Sequence, residues 1–181
     1  MAEFNQIKEI LSRNKIGRDE LLVLLKIEAQ LISIQEIMQA SIFLIKDSVY
    51  VQENYRRQMI ESYTSGFITR IKEVKDDNRT DEMLLDVEEI KEAVELLLNQ
   101  ENEASKMDDF NPAFFRIYKI ISLYTTFILN EPIHPVGTPF PGGFKVIFDG
   151  KKYLCPVKDK QKDNPGAVCG FCIAEQDPET I

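Results

Sequence analysis

Apolar positions recur every three or four residues through the first two thirds of the chain, the spacing of helices that bury one face. Phe4, Ile7, Ile10 and Leu11 suggest a short first helix, ended by Asn14 and Gly17. Asp19 then stands as a candidate N-cap before Leu21, Leu22, Leu24, Leu25 and Ile27. Ser33 and Glu36 have capping-box spacing, so the apolar run divides there into two helices. A further helix is predicted from Glu53 to Val74, with Ile60, Tyr63, Phe67, Ile71 and Val74 as its stripe. Asp76 to Arg79 break it, and Thr80 is the expected cap of the next. There Met83, Val87, Ile90, Val94 and Leu97 alternate steps of four and three. Such a seam faces the core of a bundle or, as a second use, another copy of the chain in a homo-oligomer. Asn111-Pro112 opens a last long helix with proline at its first position. Phe114, Phe115, Ile117, Ile120, Ile121, Leu123, Tyr124, Phe127 and Ile128 leave it little polar surface, so it is the expected central helix.

After Asn130 the pattern changes. Glu131 to Phe144 repeats proline and glycine and cannot be helical. Two β-prone runs, Phe144–Phe148 and Lys151–Cys155, flank Asp149-Gly150, a hairpin signal in which a type I′ turn needs positive φ at both positions. A polar loop, a turn at Asn164-Pro165-Gly166 and a Cys-x-x-Cys complete the chain. The fold expected is mainly α: a bundle of five to six helices over 1–130, with a small C-terminal β-hairpin, Cys-rich metal-binding appendage over 131–181 packed on it. The apolar Phe140 and Phe144 have little else to bury them, so the loop from His134 should fold back on the helices, and a ligand pocket is expected along that seam.

Composition narrows the chemistry. The chain has 181 residues and a net charge of −8, which excludes the basic surface that nucleic acid or an anionic membrane requires. Residues 73–109 alone carry 14 acidic and 4 basic side chains, a solvated face or a dock for a basic protein partner. No signal segment is visible at Met1. The uncharged stretch Ile120–Asn130 is far short of the roughly 20 residues a membrane span needs. The expected setting is cytoplasmic. There an odd count of three cysteines argues against a disulfide framework.

Those cysteines, Cys155, Cys169 and Cys172, and the sole histidine, His134, all lie in the segment that is poorest in core-forming residues. Zinc takes cysteine sulfur and histidine nitrogen in a tetrahedron, and a structural ion is useful where a core is thin. A Cys₃His or Cys₃ zinc site is therefore expected, with His134 the least determined ligand. Unliganded thiols, a thiol-redox or metal-dependent enzyme or sensor that uses the three cysteines, and an iron–sulfur cluster are the other uses. The long Cys155–Cys169 gap does not match the compact ferredoxin run. Cys-Gly-Phe-Cys resembles a thioredoxin active-site tetrapeptide, but no βαβ pattern precedes it and nine residues follow it. No phosphate loop or Gly-x-Ser-x-Gly occurs. The glycine-rich loop, with Lys145, Lys151, Lys152, Lys158, Lys160 or Lys162, offers N–H groups and charge to a small anion.

The run HPVGTPFPGGF followed by YLCPVKDKQKDNPGAVCGFCIAEQ resembles uncharacterised proteins of methanogenic archaea grouped as a domain of unknown function. The resemblance is specific over His134–Asp177 and weaker over the helices. It implies an archaeal, cytoplasmic setting in which metal–thiolate sites are plentiful. It carries no activity and does not name the metal.

Overall fold

A computed structural model describes residue 7, residues 12–48 and residues 53–180 of the chain. Among these residues six α-helices and five short strands occur. The helix expected over Phe4–Leu11 falls outside the described residues, apart from Ile7, which is helical and buried.

Strand β1 (Lys15–Gly17) runs directly into helix α1 (Arg18–Gln30). Gly17 is the N-cap and no side chain caps this end, so the expectation for Asp19 is corrected. Asp19 sits in the first turn, where its carboxylate accepts the Glu20 N–H at 2.9 Å and suits the positive helix end. Helix α2 (Ile34–Asp47) opens on the full capping box expected of Ser33 and Glu36. Helix α3 (Glu53–Asp76) buries Phe67, Ile71 and Val74 as its stripe foretells.

The next helix starts later than Thr80. Strand β2 (Leu84–Asp86) intervenes, and Asp86 caps α4 (Val87–Ala104) by accepting the Glu88 N–H. Strands β1 and β2 pair antiparallel with Ile16 opposite Leu85. The two strands thus tie the start of α1 to the start of α4. Arg18, paired with Asp81 at 2.6 Å, reinforces the tie. The seam Val87, Ile90, Val94, Leu97 is buried within the chain, while Met83 stands 52% exposed outside it. Helices α1 and α2 also expose apolar side chains, among them Val23, Ile27, Ile34, Met38 and Ile42.

Helix α5 (Pro112–Leu123) begins with Asn111 accepting the Phe114 N–H at 2.8 Å. It touches α1, α2, α3 and α4, and so is central as its apolar circumference requires. Its one buried cation, Lys119, is paired with Glu101 of α4 at 2.5 Å. The helix does not end at Leu123 but widens into a π-helical stretch, Tyr124–Leu129, closed by Asn130 in the left-handed conformation. This change of pitch is absent from any apolar periodicity.

The remainder is built from turns. Phe140 N–H to Phe144 C=O (2.8 Å) and a Pro139–Lys145 bridge close a tight loop whose Gly142 and Gly143 have φ of 88° and 83°. Strands β3 (Ile147–Phe148) and β4 (Tyr153–Cys155) form the expected hairpin, but not with a type I′ turn. Its loop spans four residues, positive φ falls on Gly150 and not on Asp149, and the Asp149 carboxylate accepts the N–H groups of Lys151 and Lys152. A short helix α6 (Lys158–Gln161) replaces part of the expected polar loop, and β5 (Glu175–Gln176) adds a parallel strand to β4.

This segment lies against the helices. Ile133, Val168 and Phe171 join the main core, and Phe171 stacks on Phe127 at 6.4 Å. Gly66 of α3 leaves room for Pro135, whose ring would stand 3.4 Å from a β-carbon there. Phe140 is partly buried in a separate small cluster around Val146, Cys155 and Ala174, whereas Phe144 is 42% exposed. The fold-back therefore occurs, but its anchors are mainly other residues than the two phenylalanines.

Candidate functional site

Cys155 ends β4, and the chain turns at Pro156 so that the backbone N–H groups of Val157 and Lys158 lie near its sulfur and favour its charged form. Cys169 and Cys172 lie in the turn after Asn164-Pro165-Gly166, where the Cys172 N–H donates to Val168 C=O at 3.2 Å. The Lys158 ammonium holds this turn by donating to the carbonyls of Cys169 (2.5 Å) and Cys172 (2.6 Å). All three thiols are free of disulfides. They are close enough to act on one another's ionisation. Burial, then the charge of Cys172, raises the Cys169 thiol; burial also raises Cys155, against those N–H groups and Lys158. Among the described residues, however, no group of three or more His, Cys, Asp and Glu side chains is gathered as a metal ion would need. The metal-binding character expected of this segment is thus not a feature of the observed geometry.

His134 is gathered with aromatic side chains rather than with the thiols. Its Nε2 is hydrogen-bonded to the Tyr63 hydroxyl, and its ring stands edge-on to Phe140 at 5.7 Å. Burial pushes its pKa down to about 4, so at neutral pH the ring is uncharged. A neutral imidazole that accepts from Tyr63 at Nε2 carries its proton on Nδ1.

Several of the lysines expected to serve an anion are committed within the chain. Lys152 pairs with Glu175, Lys162 with Asp159, and Lys158 holds the cysteine turn.

Two pockets flank the Cys-x-x-Cys turn. The larger, about 890 Å³, lies between α3, α4, α5 and the loops at 133–140 and 165–169; Cys169, His134, Tyr63 and Tyr118 line it. The smaller, about 580 Å³, is lined by Cys172, Phe171, Thr126 and Arg18. The π-helical stretch sits between them, with Thr125 facing the larger and Thr126 the smaller. Sequence reasoning placed a pocket at this seam but missed Tyr63, Tyr118 and Thr125, which reach it only through tertiary packing.

No helix among the described residues is long and apolar enough to cross a membrane. The family model for an uncharacterized protein conserved in archaea, DUF2115, matches residues 17–177. A UPF0305 protein of Methanothermobacter thermautotrophicus is 40% identical over 158 residues, 87% of this chain and 95% of that one. A second UPF0305 protein of that organism is 34% identical, over 90% of this chain and 97% of its own. UPF0305 protein MJ0646 of Methanocaldococcus jannaschii is 31% identical, over 86% and 94% respectively. No solved structure matches the chain. With the match running from the start of α1 to just past β5, the chain belongs to the DUF2115 family of uncharacterized archaeal proteins.

Proposed function

We propose that this chain is a metal-binding module in which Cys155, Cys169 and Cys172 hold a zinc ion that fixes the C-terminal turns against the helices, presenting that surface to a partner. The observation that supports the reading is the turn at Cys155. Two backbone N–H groups, from Val157 and Lys158, lie near its sulfur and favour its charged form, and the thiols are near enough to act on one another's ionisation. N–H donors of this kind stabilise a thiolate, and a divalent cation supplies the remaining charge that burial withholds. Nucleophilic redox chemistry fits less well, because it needs a depressed thiol pKa and burial raises Cys155 and Cys169. The fourth position falls to solvent, because His134 is gathered with Tyr63 and Phe140 rather than with the thiols.

Elemental analysis of anaerobically purified protein, with thiol counting, tests the reading. About one zinc per chain is expected, lost in Cys155→Ser, with alkylation of the thiols slow until a chelator is added. Retention of zinc in His134→Ala would assign the fourth position to solvent. Metal-free protein whose three thiols all react at once with an alkylating reagent would overturn it.

A further inference from the structure

The larger pocket has properties that the metal reading does not use. Its wall carries a ladder of rings: Phe67 stacks on Phe114 at 5.7 Å, and Phe114 on Tyr118 at 5.3 Å with an interplanar angle of 18°. Its charges are already answered. Arg70 is paired with Glu73 and Glu131, Glu103 with Lys106, and His134 is neutral at pH 7. A charged ligand would be desolvated here with no free counter-charge, which is costly. One ring of the ladder carries a polar group. The partly buried Tyr118 lines the pocket, and its phenol makes no hydrogen bond to another described residue. A donor that opens onto a pocket with no protein acceptor is one that a ligand acceptor can take over from water. The volume, about 890 Å³, is that of a site for an organic molecule rather than for a few waters.

We propose that this pocket binds an uncharged, planar aromatic or heteroaromatic molecule, lying along the Phe67–Phe114–Tyr118 ladder with a carbonyl or ring-nitrogen acceptor on the Tyr118 hydroxyl. Tyr63 and His134 supply a second polar edge, their mutual hydrogen bond orienting both. Nothing in this proposal requires a metal on the cysteines.

The neutral naphthalene ketone 6-propionyl-2-dimethylaminonaphthalene is a suitable probe, being planar, bearing one carbonyl, and shifting its emission to the blue in apolar surroundings. Titrated into the whole chain, it should bind at one saturable site with blue-shifted emission. Tyr118→Phe should weaken binding about fivefold or more, the loss of one buried hydrogen bond, while circular dichroism stays unchanged. Met38→Gln, on the 59% exposed outer face of α2, should leave it unaltered. Hydrogen exchange on the unmodified chain gives a reading that needs no variant: the probe should protect residues 133–140 and 165–169. No saturable binding up to the probe's solubility would overturn the proposal. So would binding that Met38→Gln abolishes and Tyr118→Phe leaves intact, because the dye would then sit on the exposed apolar face. Zinc content measured on the same samples reports separately on the cysteines.

Discussion

The helices over 18–129 and the turns over 131–180 are held by different means within one chain. In the helical part α5 is surrounded, and Ile117, Ile120 and Leu123 are wholly removed from solvent. Stability there is spread over many apolar contacts, each replaceable. The C-terminal part has a cluster of three buried residues, Val146, Cys155 and Ala174. It depends on single polar anchors: Lys158 on two carbonyls, Asp149 in its loop, and Gln176 and Thr180 on the Pro156 carbonyl. A region with few apolar contacts opens locally at lower free energy than a packed core. The same thinness is what makes a metal at Cys155, Cys169 and Cys172 useful in the proposed function.

The largest effect should come from the core that carries most burial. Ile120→Ala is expected to cost about 2–5 kcal/mol by urea unfolding and to act on the whole chain. Val146→Ala should cost less, because the small cluster can collapse around the loss. Its effect should appear as faster hydrogen exchange in β3–β5 before global unfolding. Equal losses from the two substitutions, both global, would erase the distinction.

What the sequence made legible divides along the same line. Ser33 with Glu36, the Val87–Leu97 seam and Asn111-Pro112 are local signals, and each produced the element expected. Asp19 and Thr80 misled because a cap needs the strand-like residue before a helix, and here that residue is set by the β1–β2 ladder. Lys15 and Asp86 meet in that ladder though far apart in sequence. The π-helical turns, the parallel β5, and the pairs Tyr63–His134 and Lys119–Glu101 are likewise products of packing. Of the candidate site, the cysteine turn was visible as a motif. The aromatic pocket was visible only as a seam, since its rings come from α3 and α5.

His134 lies where the two regions meet and gives the next largest effect. Its folded pKa, about 4, is below the unfolded value near 6.5, so the native state binds fewer protons between these limits. Its contribution is intact above pH 6.5 and is lost as pH falls toward 4. The loss is at most roughly 3 kcal/mol. Once protonated, the ring can only donate to the Tyr63 hydroxyl. Urea midpoints at pH 7 and pH 4.5 should therefore converge more in His134→Gln than in the unmodified chain. Parallel pH profiles in the two proteins would detach the histidine from the seam.

Lys158→Met removes the clamp on Cys169 and Cys172 while keeping the length of the side chain. About 1.5–3 kcal/mol is expected, the range for hydrogen bonds to a charged group, and confined to the C-terminal part. Exchange at residues 166–173 should accelerate while α1 to α5 keep their protection. Loss of protection in the helices would show that the turns and the bundle unfold as one.

The smallest effect compares one local motif from the better-packed region with one from the other. Ser33 donates its backbone N–H and its hydroxyl to Glu36, both at 2.8 Å, and accepts the Glu36 N–H at 3.2 Å. Burial pushes the Glu36 carboxyl up, but these bonds and Arg116 outweigh it and hold the pKa below the ordinary range. Ser33→Ala should cost about 1 kcal/mol at pH 7. A depressed carboxylate stabilises above its unfolded pKa, and that share is lost as pH falls through the lower folded value. The cost of Ser33→Ala should accordingly shrink on acidification, because the unmodified chain surrenders the Ser33–Glu36 bonds there. Asp149, also held below the ordinary range by the N–H groups of Lys152 and Lys151, has the same sign of dependence. Being exposed at a hairpin tip, it should register only in the exchange of β3 and β4. If Asp149→Ala lowers the global unfolding midpoint as much as Ser33→Ala does, the C-terminal turns are no less integral to the fold than the helix caps.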